Sequence, residues 1–224
     1  DKSDVISDPV IEVLGNKIVD IRSQKDFKPP AEAKVLEARD CLLMPGLINT
    51  HTHSPMSLLR GIAEDLPFHK WLFEKVMPVE QKAVSREFVY LGSLLSALEM
   101  IKSGTTCFND MYYFAEDSVR AAHEAGMRMV ASVTYLDNSL VDPYTDKQKK
   151  FDEFGAEISK YPRALPAVGP HAIYTVGTES FKEIVSYAKR NDWRVHIHLS
   201  ETEHENKECL TQYRKSPTEY LNEL

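Results

Sequence analysis

From about Leu47 onward the chain alternates strand-like and helix-like segments, and this alternation limits the possible fold more than any other feature. "LINTH" reads as a strand, and "SREFVYLGSLLSALEMIKSG" (85–104) as a helix with Ser85 as N-cap and Gly104 as its stop. "TTCFNDM", "RMVASVT", "ALPAVGPHAIY" and "WRVHIHLS" read as four further strands. Between them, "AEDSVRAAHEAG", a segment near Lys147–Tyr161 after a loop with Pro143, and "TESFKEIVSYAKRND" read as helices. A further helix begins at Glu203. Strand–helix units in series imply a parallel sheet with right-handed crossovers. No GxGxxG or GxxxxGK[ST] loop points to a nucleotide phosphate.

Residues 1–45 differ. "VIEVLGNKIVDI" holds two apolar segments around Gly15-Asn16, a hairpin signal. "DFKPPAEAKVLEARDCLLMPG" reads as a loop, a strand and a turn. The expected organisation is a small N-terminal β unit over 1–45 and a larger α/β domain over 46–224.

The reactive residues fall at strand ends. His51 and His53 close the first strand of the series, Asp110 the second, His171 the fourth, and His198 with Glu201 the fifth. Successive strand side chains alternate faces, so His51 and His53 share one, roughly 7 Å apart along the strand. Such a pair can grip a metal or can be two surface histidines. A second HxH, His196 and His198, ends another strand, which strengthens the metal reading. Imidazole suits zinc, iron and nickel alike. Within the second pair the later His198 is the preferred ligand, and His196, one layer deeper, reads as a hydrogen-bonded interior histidine. Glu201 lies three residues on, where a carboxylate can take a proton from an activated water, but "SETEHE" is also a good helix start. Glu203 and Glu205 read as ordinary first-turn acids. His171 reads as a substrate contact or a core histidine, and His69, His123 and His204 as surface residues. The aromatic stretch "FHKWLFEKVMPVE" (68–80) reads as a cover over the site or a helix on the flank. These strand ends suit a (β/α)8 barrel or an open doubly wound sheet equally.

Composition narrows the class. A formal charge of −7 and a pI near 5.6 argue against a nucleic-acid-binding surface. Cys41, Cys107 and Cys209 are far apart and form no CxxC, which disfavours a disulfide framework and a thiolate zinc site. A reducing, cytoplasmic setting is expected, with no signal peptide. No apolar run approaches the ~20 residues of a membrane span.

The segments "GNKIVDI", "LLMPGLINTHTHSPMSLLRGIAEDLPFHKWLFEKVMPVE", "MIKSGTTCFNDMYY", "VGPHAIYTVG" and "VHIHLSETEHE" resemble the amidohydrolase superfamily. The likeness is to its aminohydrolase branch, near the 5-methylthioadenosine/S-adenosylhomocysteine deaminases, guanine deaminases and triazine hydrolases. It implies a (β/α)8 TIM-type barrel, with only about five strands in this chain, beside a small N-terminal β-sandwich unit. It implies His51, His53 and His198 as ligands of one divalent metal ion, zinc by default, with iron, manganese or nickel as alternatives. It implies Glu201 as the acid/base that moves a proton from the attacking water to the substrate ring. His171 would contact the ring, Trp71 would pack on the nucleoside, and Glu80 would bind ribose hydroxyls. The stretch 165–175 lacks the lysine of two-metal members, so a single-metal site is expected. The implied activity is hydrolytic deamination of an adenosine-type small molecule. The family pattern also needs a histidine and an aspartate from later strands, so the chain reads as a fragment, or as one half of a barrel completed by a second chain or a homo-oligomer.

Overall fold

The computed structural model describes residues 5–23, 27–141 and 146–224. The chain divides into two compact units, Asp1–Met44 and Pro45–Leu224. The loop expected around Pro143 lies outside the described residues.

In the first unit, β1 (Pro9–Leu14) pairs antiparallel with β2 (Lys17–Ser23). Gly15 at φ +61° makes the turn, where a side chain would be disfavoured. The strand expected between residues 27 and 46 does not form: those residues are irregular. Pro29-Pro30 removes two backbone donors in succession, and among the described residues no third strand joins the β1–β2 pair. Among its described residues this unit holds a two-stranded antiparallel sheet, a small β unit as expected.

The second unit is built on five parallel strands: β3 (Leu47–Thr52), β4 (Thr105–Tyr112), β5 (Arg128–Tyr135), β6 (Ala164–Pro170) and β7 (Arg194–Val195). They lie side by side in chain order, β3-β4-β5-β6-β7. That order separates the two open topologies. A doubly wound sheet reverses direction at a switch point, whereas a barrel winds one way. The sheet is a half barrel.

Helices cover one face. α1 (Met77–Ala83) and α2 (Arg86–Lys102) follow β3, and α3 (Ala115–Glu124), α4 (Lys147–Ile158) and α5 (Thr178–Asn191) follow β4, β5 and β6. α6 (Glu203–Tyr213) and α7 (Pro217–Asn222) follow β7. Local chemistry sets their ends. The Ser85 hydroxyl accepts from Phe88 N–H at 3.2 Å, and Gly104 at φ +86° turns the chain out of α2. Phe108, Met129, Val133 and Val168 from the sheet meet Val119, Phe151, Phe154, Phe181 and Ile184 from the helices, forming one apolar core. Each such side chain contributes roughly 1.5–3 kcal/mol on full burial.

The fifth strand is shorter than "WRVHIHLS" suggests. Its ladder covers only Arg194–Val195, although His196 N–H still donates to Val168 and His198 N–H to His171, both at 2.9 Å. Among the described residues β7 has one neighbour in the sheet, β6, and their ladder stops at Val195.

Candidate metal and catalytic site

The site grows from the C-terminal ends of β3, β6 and β7. His51 is in β3, and His53 follows its last residue. His171 follows the last residue of β6, and His198 lies three residues past β7. One ligand atom from each of His51, His53 and His198 falls within 4.8 Å of the other two, so the three could hold a metal ion. Their rings lie 4.7–5.0 Å apart, centroid to centroid.

Neighbouring groups decide which nitrogen each ring can offer. His53 Nδ1 lies 2.6 Å from the Met111 carbonyl, so it carries the proton and donates, leaving Nε2 for an ion. His51 Nδ1 lies 2.8 Å from His196 Nε2, and His196 Nδ1 lies 3.1 Å from Ser132 Oγ. His171 Nδ1 is 2.9 Å from Thr175 Oγ1, and its ring stacks edge-on to His198 at 4.9 Å.

The electrostatics favour neutral imidazoles. Burial, then the neighbouring histidines, lowers His198 to about 3 and His196 to about 4. Burial and His53 lower His171 to about 4, and the same two causes lower His51. Neutral imidazole is the form that binds a cation. The donor set therefore fits a divalent ion.

Glu201 sits exposed at the rim, with Tyr174 Oη 3.4 Å from its Oε2. Partial burial of its carboxyl and the nearby Glu205 raise its pKa, against the lowering effects of Tyr174 and His53. A carboxylate moved upward in this way suits proton transfer near neutral pH.

The segment 68–80 forms a wide helical turn over Lys70–Val76 that runs into α1. Trp71, His53, Met56, Leu59 and Val76 line a cavity of about 460 Å³. Glu80 is buried, and the Tyr112 hydroxyl donates to its Oε1 at 2.5 Å. Burial, partly offset by that hydrogen bond, raises its pKa.

Three residues do more than the sequence indicated. Asp110 shares a face of β4 with the core residue Phe108 by strand alternation and lies close enough to His53 to feel its charge. Its buried carboxylate accepts from Thr52 Oγ1 (2.7 Å), Ser54 N–H (2.6 Å) and Ser54 Oγ (3.0 Å), holding the backbone on both sides of His53. His196 is half-buried and has a partner at each ring nitrogen, one of them the candidate ligand His51. Glu205 is no ordinary first-turn acid: it is 3% exposed, and its carboxylate accepts from the Ser200 and Glu201 N–H groups. The signal for Asp110 was its place at a strand end. For Glu205 the only signal was Thr202-x-x-Glu205, a helix-start motif.

Known proteins resemble this chain in sequence and fold. The amidohydrolase family profile matches residues 42–224. A 5-methylthioadenosine/S-adenosylhomocysteine deaminase of Thermodesulfovibrio yellowstonii is 42% identical over 98% of this chain and 50% of its own length. A 5'-deoxyadenosine deaminase of Methanothermobacter thermautotrophicus is 39% identical over 93% of this chain and 49% of its own. An adenosine deaminase from Xanthomonas campestris, solved with bound zinc, superposes with a TM-score of 0.89 at 33% identity, over 99% of this chain and 51% of that one. Zinc-bound atrazine chlorohydrolase from Arthrobacter aurescens shares the fold, with a TM-score of 0.80 at 20% identity, over 95% of this chain and 52% of that one. The chain spans about half the length of the curated relatives it matches. By profile and by identity, it belongs to the amidohydrolase family.

Proposed function

We propose that this chain supplies the first half of the active site of a metal-dependent deaminase acting on an adenosine-type compound such as 5-methylthioadenosine or S-adenosylhomocysteine. The observation that carries the reading is the convergence of His51, His53 and His198 at the strand ends, with Glu201 close enough for its titration to respond to His53. The relatives at 42% and 39% identity support an adenosine-type ring over guanine or a triazine.

His51, His53 and His198 would hold one divalent ion, zinc by ligand type and by the zinc in similar structures. When bound, the ion supplies the Lewis acidity that makes water a nucleophile near neutral pH. Glu201 takes a proton from the attacking water and gives it to the ring nitrogen as the carbon–oxygen bond forms; the second water proton then passes to the amine, the carbon–nitrogen bond breaks and ammonia leaves. His171 and Trp71 orient the ring, and Glu80 holds the ribose hydroxyls. Strands from further chain, a second subunit or a second copy would complete the barrel, and the β1–β2 unit would join a composite sandwich. A cytoplasmic location suits the thiols and the small soluble substrate.

The test is turnover by the zinc-loaded, full-length gene product, read as ammonia release from 5-methylthioadenosine, S-adenosylhomocysteine and guanine and as chloride release from a chlorotriazine. Glu201→Gln should lower kcat by roughly 10²–10⁴-fold and leave zinc content unchanged. Full activity in that variant would remove Glu201 from the reaction, and turnover of guanine or triazine alone would replace the substrate class.

A second reading is that these residues form a non-catalytic assembly subunit. The open edges of the five-strand sheet favour it. Metal bound without turnover of any of the four substrates would decide for it.

A further inference from the structure

The loop that carries Glu201 is held from behind by one buried carboxylate. Glu205 Oε1 accepts from Ser200 N–H at 3.1 Å and Oε2 from Glu201 N–H at 2.7 Å. Two donors on one carboxylate fix both the position and the orientation of the peptide between them. Ser200 stands at φ +56°, a left-handed conformation that a non-glycine residue adopts only when its surroundings impose it.

The chain contains its own comparison. α7 begins with Ser216-x-x-Glu219, and α6 with Thr202-x-x-Glu205. At α7, the Glu219 carboxylate turns back to the N–H of the cap residue itself, Ser216, at 2.9 Å, an ordinary reciprocal capping box. At α6, Thr202 plays its half, its hydroxyl accepting from Glu205 N–H at 3.0 Å. The Glu205 side chain passes over the cap and reaches the two residues before it. Helix capping alone does not require that reach. Glu205 is also almost fully enclosed, whereas the Ser216–Glu219 bonds are exposed.

We propose that Glu205 is a positioning residue for the reaction: it sets the Ser200–Glu201 peptide so that the Glu201 carboxyl points at the site formed by His51, His53 and His198. This rests on the reading of Glu201 as the proton carrier. Glu205 touches neither the candidate ligands nor the reacting atoms, and it acts through the backbone of its neighbour. Its negative charge also contributes to the raised pKa of Glu201.

The test uses Glu205→Gln in the zinc-loaded, full-length gene product. Glutamine keeps one acceptor oxygen and turns an N–H donor toward the other amide, so one of the two bonds must break. Three quantities are read: amide hydrogen exchange at Ser200 and Glu201, the kcat and KM for 5-methylthioadenosine, and zinc per chain. The proposal expects faster exchange at one or both amides and a kcat lower by about 10- to 100-fold, as misplacement of a catalytic group by around 1 Å produces. KM should stay within about twofold, and zinc content should not change. Unchanged exchange, faster exchange with kcat intact, or kcat falling only in step with zinc would each overturn it. If Glu205→Gln does not fold, Thr202→Ala is the comparison. It removes the cap and spares the Glu205 carboxylate, so exchange at Ser200 and Glu201 and kcat should both stay near wild type, and a kcat loss of about 10-fold or more would reduce Glu205 to a helix cap and overturn the proposal. Glu201→Gln run in parallel separates the two readings: full activity there overturns the role of Glu201, while the exchange data report on the clamp independently.

Discussion

His51 Nδ1 and His196 Nε2 face each other at 2.8 Å, and His196 Nδ1 in turn faces Ser132 Oγ at 3.1 Å. Only one proton can lie between the two rings. If His51 offers Nε2 to an ion, its Nδ1 holds the proton and donates to His196. His196 then carries its own proton on Nδ1 and donates to Ser132. With the proposed ligand set, the second HxH of the chain would have one member for the ion, His198, and one, His196, to orient His51.

The expected consequence is that His196→Leu weakens zinc binding about 10- to 100-fold, the usual effect of losing such an outer hydrogen bond. Competition against a chelator of known affinity measures it. Ser132→Ala, which removes the far end of the relay, should have a smaller effect in the same direction. Wild-type affinity in His196→Leu would show that His51 does not need its neighbour.

Asp110→Ala should destabilise the fold before it changes any chemistry. Ser54 N–H loses its acceptor in a buried place, at about 1–3 kcal/mol, while Thr52 Oγ1 and Ser54 Oγ are left with the Asn109 carbonyl and Ser93 Oγ. Urea unfolding with an unchanged slope and a lower midpoint is the expected result. Asp110→Asn keeps one acceptor and should fall between. A midpoint equal to wild type in Asp110→Ala would show that the strand end is held by something else.

Acid should unfold the metal-free protein earlier than an average domain. The pKa of His171 is lowered to about 4 from an ordinary 6.5, chiefly by burial. Between those values the unfolded chain binds more protons than the folded one. Stability is therefore full above about 6.5 and falls as the pH drops toward 4, by about 3 kcal/mol for His171 alone. Glu80 and Asp110, raised by burial, act in the opposite sense. Comparing thermal midpoints at pH 7 and pH 4 in wild type and His171→Asn isolates the histidine. The variant should lose less on acidification, and an equal loss would contradict the buried neutral state.

Glu80→Gln should separate stability from binding. The neutral amide removes the penalty of an enclosed charge and still accepts from the Tyr112 hydroxyl. The thermal midpoint at pH 7 should hold or rise. If Glu80 grips ribose hydroxyls, KM for 5-methylthioadenosine should rise roughly 10- to 100-fold with kcat held. An unchanged KM would leave Glu80 as a buried partner of Tyr112.

The order of strands and helices after Leu47 was legible in the residues because each element carries its own local signals. Ser85, Gly104 and Gly126 mark helix ends wherever the chain is, and the apolar runs mark strands. The pairing of His51 with His53 was legible for the same reason, since strand alternation places both on one face. The family motifs then singled out His198 and Glu201. The missing strand between residues 27 and 46 and the shortened β7 were not legible, because a strand exists only where a neighbour accepts its hydrogen bonds. The roles of Asp110, His196 and Glu205 were hidden too. The partners of Asp110 and His196 stand 56–58 and 145 residues away in the chain. The bonds of Glu205 are local but depend on a left-handed turn at Ser200. The sequence by itself determined which residues can do the chemistry. Only the tertiary structure decided which way each one points, because orientation is set by hydrogen bonds between segments that meet only when the strands have assembled side by side.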